Sequence, residues 1–214
     1  MTYNPQANVF SPDAAPISPS AWDDEFNGTS LDAKWISQHT PAGGFTATVA
    51  NGCLGLEDTG KTDTTTIGYV QGSLGSTWKV TCKVEVMNAS SNKGAGLIVK
   101  DSVSGKQFWF MFTNEGGTPK LIIYRVTSGD SNDFSSSAFA ETTFALPFVG
   151  YLQVERPGDT NIYFRWSRTG QQFLTVFISG ETAFTTNAPD QVGPGYWGTA
   201  TGTINAYFDW IRKS

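Results

Sequence analysis

From residue 45 onward, apolar and polar positions alternate in short runs. In Tyr151-Leu152-Gln153-Val154-Glu155-Arg156, Leu152 and Val154 share one parity while Tyr151, Gln153 and Glu155 share the other. In the run that follows, Ile162, Phe164 and Trp166 oppose Tyr163 and Arg165. A period of two is the mark of a strand with one buried face. Strand-like runs occupy 45–50, 53–57, 65–70, 78–87, 94–100, 107–113, 120–126, 151–156, 161–167, 173–179 and 203–212. Between them stand turn formers, among them Ser104-Gly105, Glu115-Gly116-Gly117, Pro157-Gly158-Asp159 and Arg168-Thr169-Gly170. No amphipathic helix longer than a turn or two interrupts this series. The pattern predicts an all-β, antiparallel two-sheet sandwich and excludes a βαβ fold.

Composition supports this reading and narrows the partners. The 214 residues include 15 Phe, 7 Trp, 7 Tyr and 23 Gly, a mix suited to pleated sheets and tight corners. A net charge of −5 and the absence of any Lys/Arg run argue against nucleic acid or an anionic membrane as partner. No apolar stretch is long enough for a membrane helix, so no membrane insertion is expected. Cys53 and Cys82 are too few for a disulfide scaffold; both fall in strand-like segments, where buried thiols are favoured over the alternative, a bridge between them. His39, the single histidine, falls in a loop-like stretch where a solvated side chain is expected.

Residues 1–20 contain Pro5, Pro12, Pro16 and Pro19, which remove backbone donors and fix φ. They predict an extended arm preceding a domain over 21–214. The isolated apolar residues Tyr3, Phe10 and Ile17 are the expected anchors of this arm on a neighbouring subunit or a second copy. The arm shows neither a basic nor an apolar leader region, so no secretory signal is expected.

Three segments then carry a resemblance. The opening Trp22-Asp23-Asp24-Glu25-Phe26-Asn27-Gly28-Thr29 leads to Trp35, Asn51-Gly52-Cys53-Leu54 follows, and Tyr207-Phe208-Asp209-Trp210-Ile211-Arg212 closes the chain. Together they resemble concanavalin A-like glucanase and lectin domains. The hairpin over 151–167 is similar to accessory sandwich domains of xylosidases and to laminin-G-like domains. The resemblance implies a concanavalin A-like double-sheet jelly roll whose first and last strands meet, with Trp22, Trp35 and Trp210 in the core. It also implies a calcium ion (Ca2+) at that junction, held by Asp209, the Gly52 carbonyl, and Glu25 or Asp24. The alternative role for Asp209 is acceptance of backbone hydrogen bonds.

The same resemblance raises β-glucan hydrolysis by retention, which needs two carboxylates about 5 Å apart. In those enzymes both project from one strand as Glu-x-Asp-x-Glu. None of the seven Glu residues here is followed two positions later by Asp, so no catalytic residue is expected and Glu85 and Glu155 are read as surface groups. Sugar binding needs exposed aromatics beside polar groups. Alternation places Tyr151, Tyr163 and Arg165 on one such face with Gln153 and Glu155. Trp109, opposite in parity to Phe108, Phe110 and Phe112, is a second candidate, with Tyr124 on the next strand. Tyr196 and Trp197 follow Gly193-Pro194-Gly195 and are expected in an exposed loop. The favoured expectation is a non-catalytic structural or adhesion protein of a virus particle, a bacteriophage virion, that contacts other subunits and a cell-surface glycan. The alternative is a secreted, extracellular carbohydrate-binding module of a glycosidase. A glycoside hydrolase with displaced carboxylates ranks third.

Overall fold

The computed structural model describes residues 20–38, 45–59, 65–87, 89, 91–127, 134–135, 142–143, 148–198 and 203–214. The arm with Tyr3, Phe10 and Ile17, and His39, lie outside them. In chain order the strands are β1 (Ile36–Ser37), β2 (Phe45–Ala50), β3 (Cys53–Thr59), β4 (Thr65–Val70), β5 (Trp78–Met87), β6 (Lys93–Lys100), β7 (Gln107–Glu115) and β8 (Thr118–Val126). They continue as β9 (Phe134–Ser135), β10 (Thr142–Thr143), β11 (Phe148–Arg156), β12 (Asn161–Ser167), β13 (Leu174–Gly180), β14 (Gln191–Gly198) and β15 (Thr203–Lys213). No helix occurs among the described residues.

Two antiparallel sheets result. One runs β13-β12-β11-β5-β15-β3-β2, the other β1-β4-β14-β6-β7-β8-β10 with β9 also on β8. The expected all-β sandwich is therefore the observed one. The β2–β3 hairpin turns at Asn51-Gly52, both at positive φ (54° and 73°), the geometry that an Asn-Gly pair supplies.

Alternation builds the core. On β5 the buried positions are Trp78, Val80, Cys82, Val84 and Val86, every second residue. Together with Phe164 of β12 in the same sheet, they face Phe108, Phe110 and Phe112 of β7 in one continuous cluster. The Phe164 ring lies 5.4 Å from Phe108 and 5.7 Å from Phe110. Each such side chain contributes about 1.5–3 kcal/mol through burial alone.

A second apolar layer lies on the opposite side of the β4-β14-β6-β7-β8 sheet: Val70, Ile98, Trp109, Met111, Ile122, Tyr124, Val126 and Trp197. Gly68 and Gly195 make room for it, since a Cβ on either would stand 2.1 or 2.4 Å from Ile98 Cδ1.

The chain ends meet as expected. Asp24 and Ile211 exchange both backbone hydrogen bonds at 2.9 Å. Trp22 and Trp35 are buried there, 6.2 Å apart edge to face. Trp210 is a correction: a register shift between Phe208 and Trp210 keeps Phe208 and Ile211 in the core and turns Trp210 outward.

Candidate functional site

The outer face of the β12-β11-β5-β15 portion collects partly exposed aromatic and charged groups in register. Trp210 pairs with Lys83, and Lys83 with Tyr151. The Tyr151 and Trp210 rings lie 5.9 Å apart, inclined at 49°. In the adjoining row Arg212 pairs with Thr81, Thr81 with Gln153, and Gln153 with Arg165. Beyond it Glu155 stands opposite Tyr163. Tyr151, Tyr163 and Arg165 thus share one surface, as their alternation predicts.

Hydrogen bonds fix these groups. Gln153 Nε2 donates to Thr81 Oγ1 at 3.0 Å, and Arg165 Nη1 to Gln153 Oε1 at 3.4 Å. Arg165 forms an ion pair with Glu155, donates to Thr175 Oγ1 at 3.1 Å and stacks 5.0 Å over the Tyr163 ring. The Tyr163 hydroxyl donates to Asp159 at 2.5 Å, which raises the tyrosine pKa and lowers that of the aspartate. Arg212 binds Glu25 through Nε and Nη2 (2.7 and 2.9 Å) and stacks 4.5 Å over Trp210. Lys83 Nζ donates to Asp209 at 2.5 Å. Toward β3, burial and the hydrogen bond to Glu57 push the Tyr207 hydroxyl up to about 12, with Glu85 adding negative charge.

The remaining aromatic candidates are elsewhere. Trp109, Tyr124 and Trp197 do come together, but inside the second apolar layer, where they are 0%, 4% and 6% exposed. Trp109 Nε1 donates to Gln107 Oε1 at 2.7 Å, and the Tyr124 hydroxyl to Glu115 at 2.9 Å. Tyr196 points into the main core, its hydroxyl accepting from Lys93 Nζ at 3.1 Å. The expected exposed loop is instead β14, a central strand between β4 and β6. Its Gly-Pro-Gly signal reflects close packing: a Cβ on Gly193 would stand 1.9 Å from the Tyr69 carbonyl oxygen.

The carboxylates expected as calcium ligands each meet donors of the chain itself. Asp209 pairs with Lys83 and Glu25 with Arg212. Asp24 accepts from Phe26 N at 2.8 Å and Trp35 Nε1 at 2.7 Å. Gly52 sits beside Asn27, whose Oδ1 is 3.4 Å from where its Cβ would be. No three His, Cys, Asp or Glu side chains form a metal-holding group among the described residues. Glu25 and Asp24 clasp the opening segment to the closing strand, while Asp209 ties β15 to β5.

Asp101 was not singled out by sequence, yet it organises one end of the sandwich. It is 1% exposed and accepts from Val103 N, Ser104 N and Oγ, Thr186 N and Asn187 N. Burial pushes its carboxyl up, but those hydrogen bonds outweigh burial and hold it at about 2. Both cysteines are free thiols, Cys82 buried and Cys53 half-buried, and burial raises the pKa of each.

The fold and this face define a concanavalin A-like sandwich with a structured outer surface. The chain belongs to the family described as the beta xylosidase C-terminal concanavalin A-like domain, which matches residues 23–212. Among similar solved structures is the xylan beta-1,4-xylosidase from Bacillus halodurans, at 16% identity and TM-score 0.61, with 94% of this chain and 40% of that one covered. The Bacteroides ovatus protein xyloglucan PUL GH43B is 16% identical with TM-score 0.63, covering 92% and 39%. A functionally unknown protein from Saccharomyces cerevisiae is 18% identical with TM-score 0.55, covering 85% and 96%. At these identities the likeness is one of fold. The chain spans about two fifths of the length of the Bacillus and Bacteroides proteins. No curated protein matches it.

Proposed function

We propose that this chain is a non-catalytic sandwich module associated with a glycosidase, and that it contacts carbohydrate through the outer face of β12-β11-β5-β15. Family membership favours this over the bacteriophage-virion reading. The observation that carries the site is the partly exposed Tyr151–Trp210 pair, bordered by the half-buried Thr81 hydroxyl, which the buried Gln153 amide holds in place. Aromatic rings offer apolar surface to a sugar ring, and amides and hydroxyls meet its hydroxyls. The sealed cluster of Trp109, Tyr124 and Trp197 presents no comparable accessible surface.

The non-catalytic part rests on the carboxylates of this face. Glu155 is paired with Arg165, Asp209 with Lys83, and Glu57 accepts from Tyr207. A retaining hydrolase needs one such group as nucleophile and another as proton donor.

The test is affinity electrophoresis of the full chain in gels containing xylan, arabinoxylan or xyloglucan. We expect retardation by at least one polymer, weakened about tenfold by Tyr151→Ala or Trp210→Ala, the loss of roughly 1.4 kcal/mol of stacking contact. Retardation by none of them, or retardation indifferent to both changes, overturns the proposal. So does release of reducing sugar by the purified chain.

A further inference from the structure

We infer that the saccharide taken by this face is neutral, and that Glu155 and Asp209 are the specificity residues that exclude uronate-bearing polymers. The inference rests on the carbohydrate-binding reading above.

Three cations border the Tyr151–Trp210 pair, and each is already matched. Lys83 Nζ is 2.5 Å from Asp209, Arg165 is paired with Glu155, and Arg212 holds both oxygens of Glu25. The two guanidinium planes are engaged as well, stacked on Tyr163 and Trp210 at 5.0 and 4.5 Å. Arginine recognises a carboxylate by presenting a free fork of N–H donors. Here Glu25 occupies one fork. The other is divided among Glu155, Gln153 and Thr175. A uronate would have to displace a covalently tethered carboxylate to gain an equivalent contact.

Long-range electrostatics point the same way. On the β3-β15-β5 side, Glu57 and Glu85 place negative charge around Tyr207. The whole chain carries a net charge of −5. A polyanion approaching within a Debye length, about 8–10 Å at moderate salt, is repelled. What this face offers a ligand is uncharged: the partly exposed ring surface of Tyr151 and Trp210 and the Thr81 hydroxyl.

Glu155 and Asp209 exclude uronates by neutralising Arg165 and Lys83. Removing both charges therefore opens an anion site where none existed. The test uses native affinity electrophoresis of the full chain with neutral arabinoxylan and with polygalacturonate, at about 20 and 300 mM NaCl, which bracket strong and weak screening. The wild-type chain is expected to be retarded by arabinoxylan equally at both salts and not by polygalacturonate. The Glu155→Gln/Asp209→Asn double variant is expected to gain polygalacturonate retardation of about fivefold or more at low salt, lost at high salt as screening requires. Should the double variant melt abnormally, Glu155→Gln alone serves, with a smaller gain. Wild-type binding to polygalacturonate, or a double variant with no gain, overturns this inference and leaves carbohydrate binding standing. Wild-type retardation by none of polygalacturonate, xylan, arabinoxylan and xyloglucan removes both.

Discussion

Replacing Asp101 by alanine removes the acceptor that ties the β6–β7 turn to the segment preceding β14. Its carboxylate accepts from Val103 N (3.0 Å), Ser104 N (3.3 Å), Ser104 Oγ (2.5 Å), Thr186 N (3.1 Å) and Asn187 N (2.8 Å), with longer contacts from Asn187 Nδ2 (3.4 and 3.5 Å). Hydrogen bonds to a charged group are worth about 1.5–3 kcal/mol each, but they are not additive, and water reaches the exposed Thr186 and Asn187 backbone once the carboxylate is gone. The net loss is expected to be about 3 kcal/mol, or roughly 6–12 °C in melting temperature for a chain of this size. Urea unfolding is the assay, with the midpoint falling and the m-value unchanged. The pH dependence supplies a second arm. The folded carboxyl sits at about 2, below its ordinary 3.8. Its contribution is therefore complete above 3.8 and is lost as pH falls from there toward 2. The gap between wild type and Asp101→Ala should be flat at neutral pH and shrink across that window. A loss below about 1 kcal/mol, or a gap that widens on acidification, refutes the reasoning.

Two further outcomes follow from the clasp and the thiols. Arg212→Met should cost about 1 kcal/mol in urea unfolding, because the Glu25 pair is partly exposed, and the cost should fall as salt rises; a salt-independent loss contradicts the ion-pair account. Iodoacetamide at pH 8 should leave Cys82 unmodified in the native chain and label Cys53 slowly, since burial raises both pKa values, whereas both should react in urea; rapid native labelling of Cys82 contradicts its burial.

Much of the fold was legible because period-two alternation is a local property. The faces of β11 and β12 follow directly from Leu152/Val154 against Gln153/Glu155, and from Ile162/Phe164 against Tyr163/Arg165. The meeting of Asp24 with Ile211 was legible only through the resemblance. Trp109 shows where alternation stops. Parity correctly set it apart from Phe108 and Phe110, but a side chain facing away from the main core need not face water. The residues that bury it, among them Ile98, Ile122 and Trp197, come from other strands and leave no local trace. Tyr196 and Trp197 were misplaced because Gly193-Pro194-Gly195 carries turn chemistry, while tertiary packing needs those positions small. Asp101 binds partners 85 and 86 residues away, a separation with no signature in the sequence.

The central claim is that carbohydrate meets the outer face of β12-β11-β5-β15. Backbone amide NMR of the isotope-labelled chain, titrated with a neutral xylo-oligosaccharide, locates the contact directly. The account predicts shifts concentrated at Thr81, Lys83, Tyr151, Gln153, Arg165 and Trp210. Shifts concentrated instead at Trp109, Tyr124 and Trp197 would place the ligand on the opposite sheet and contradict it.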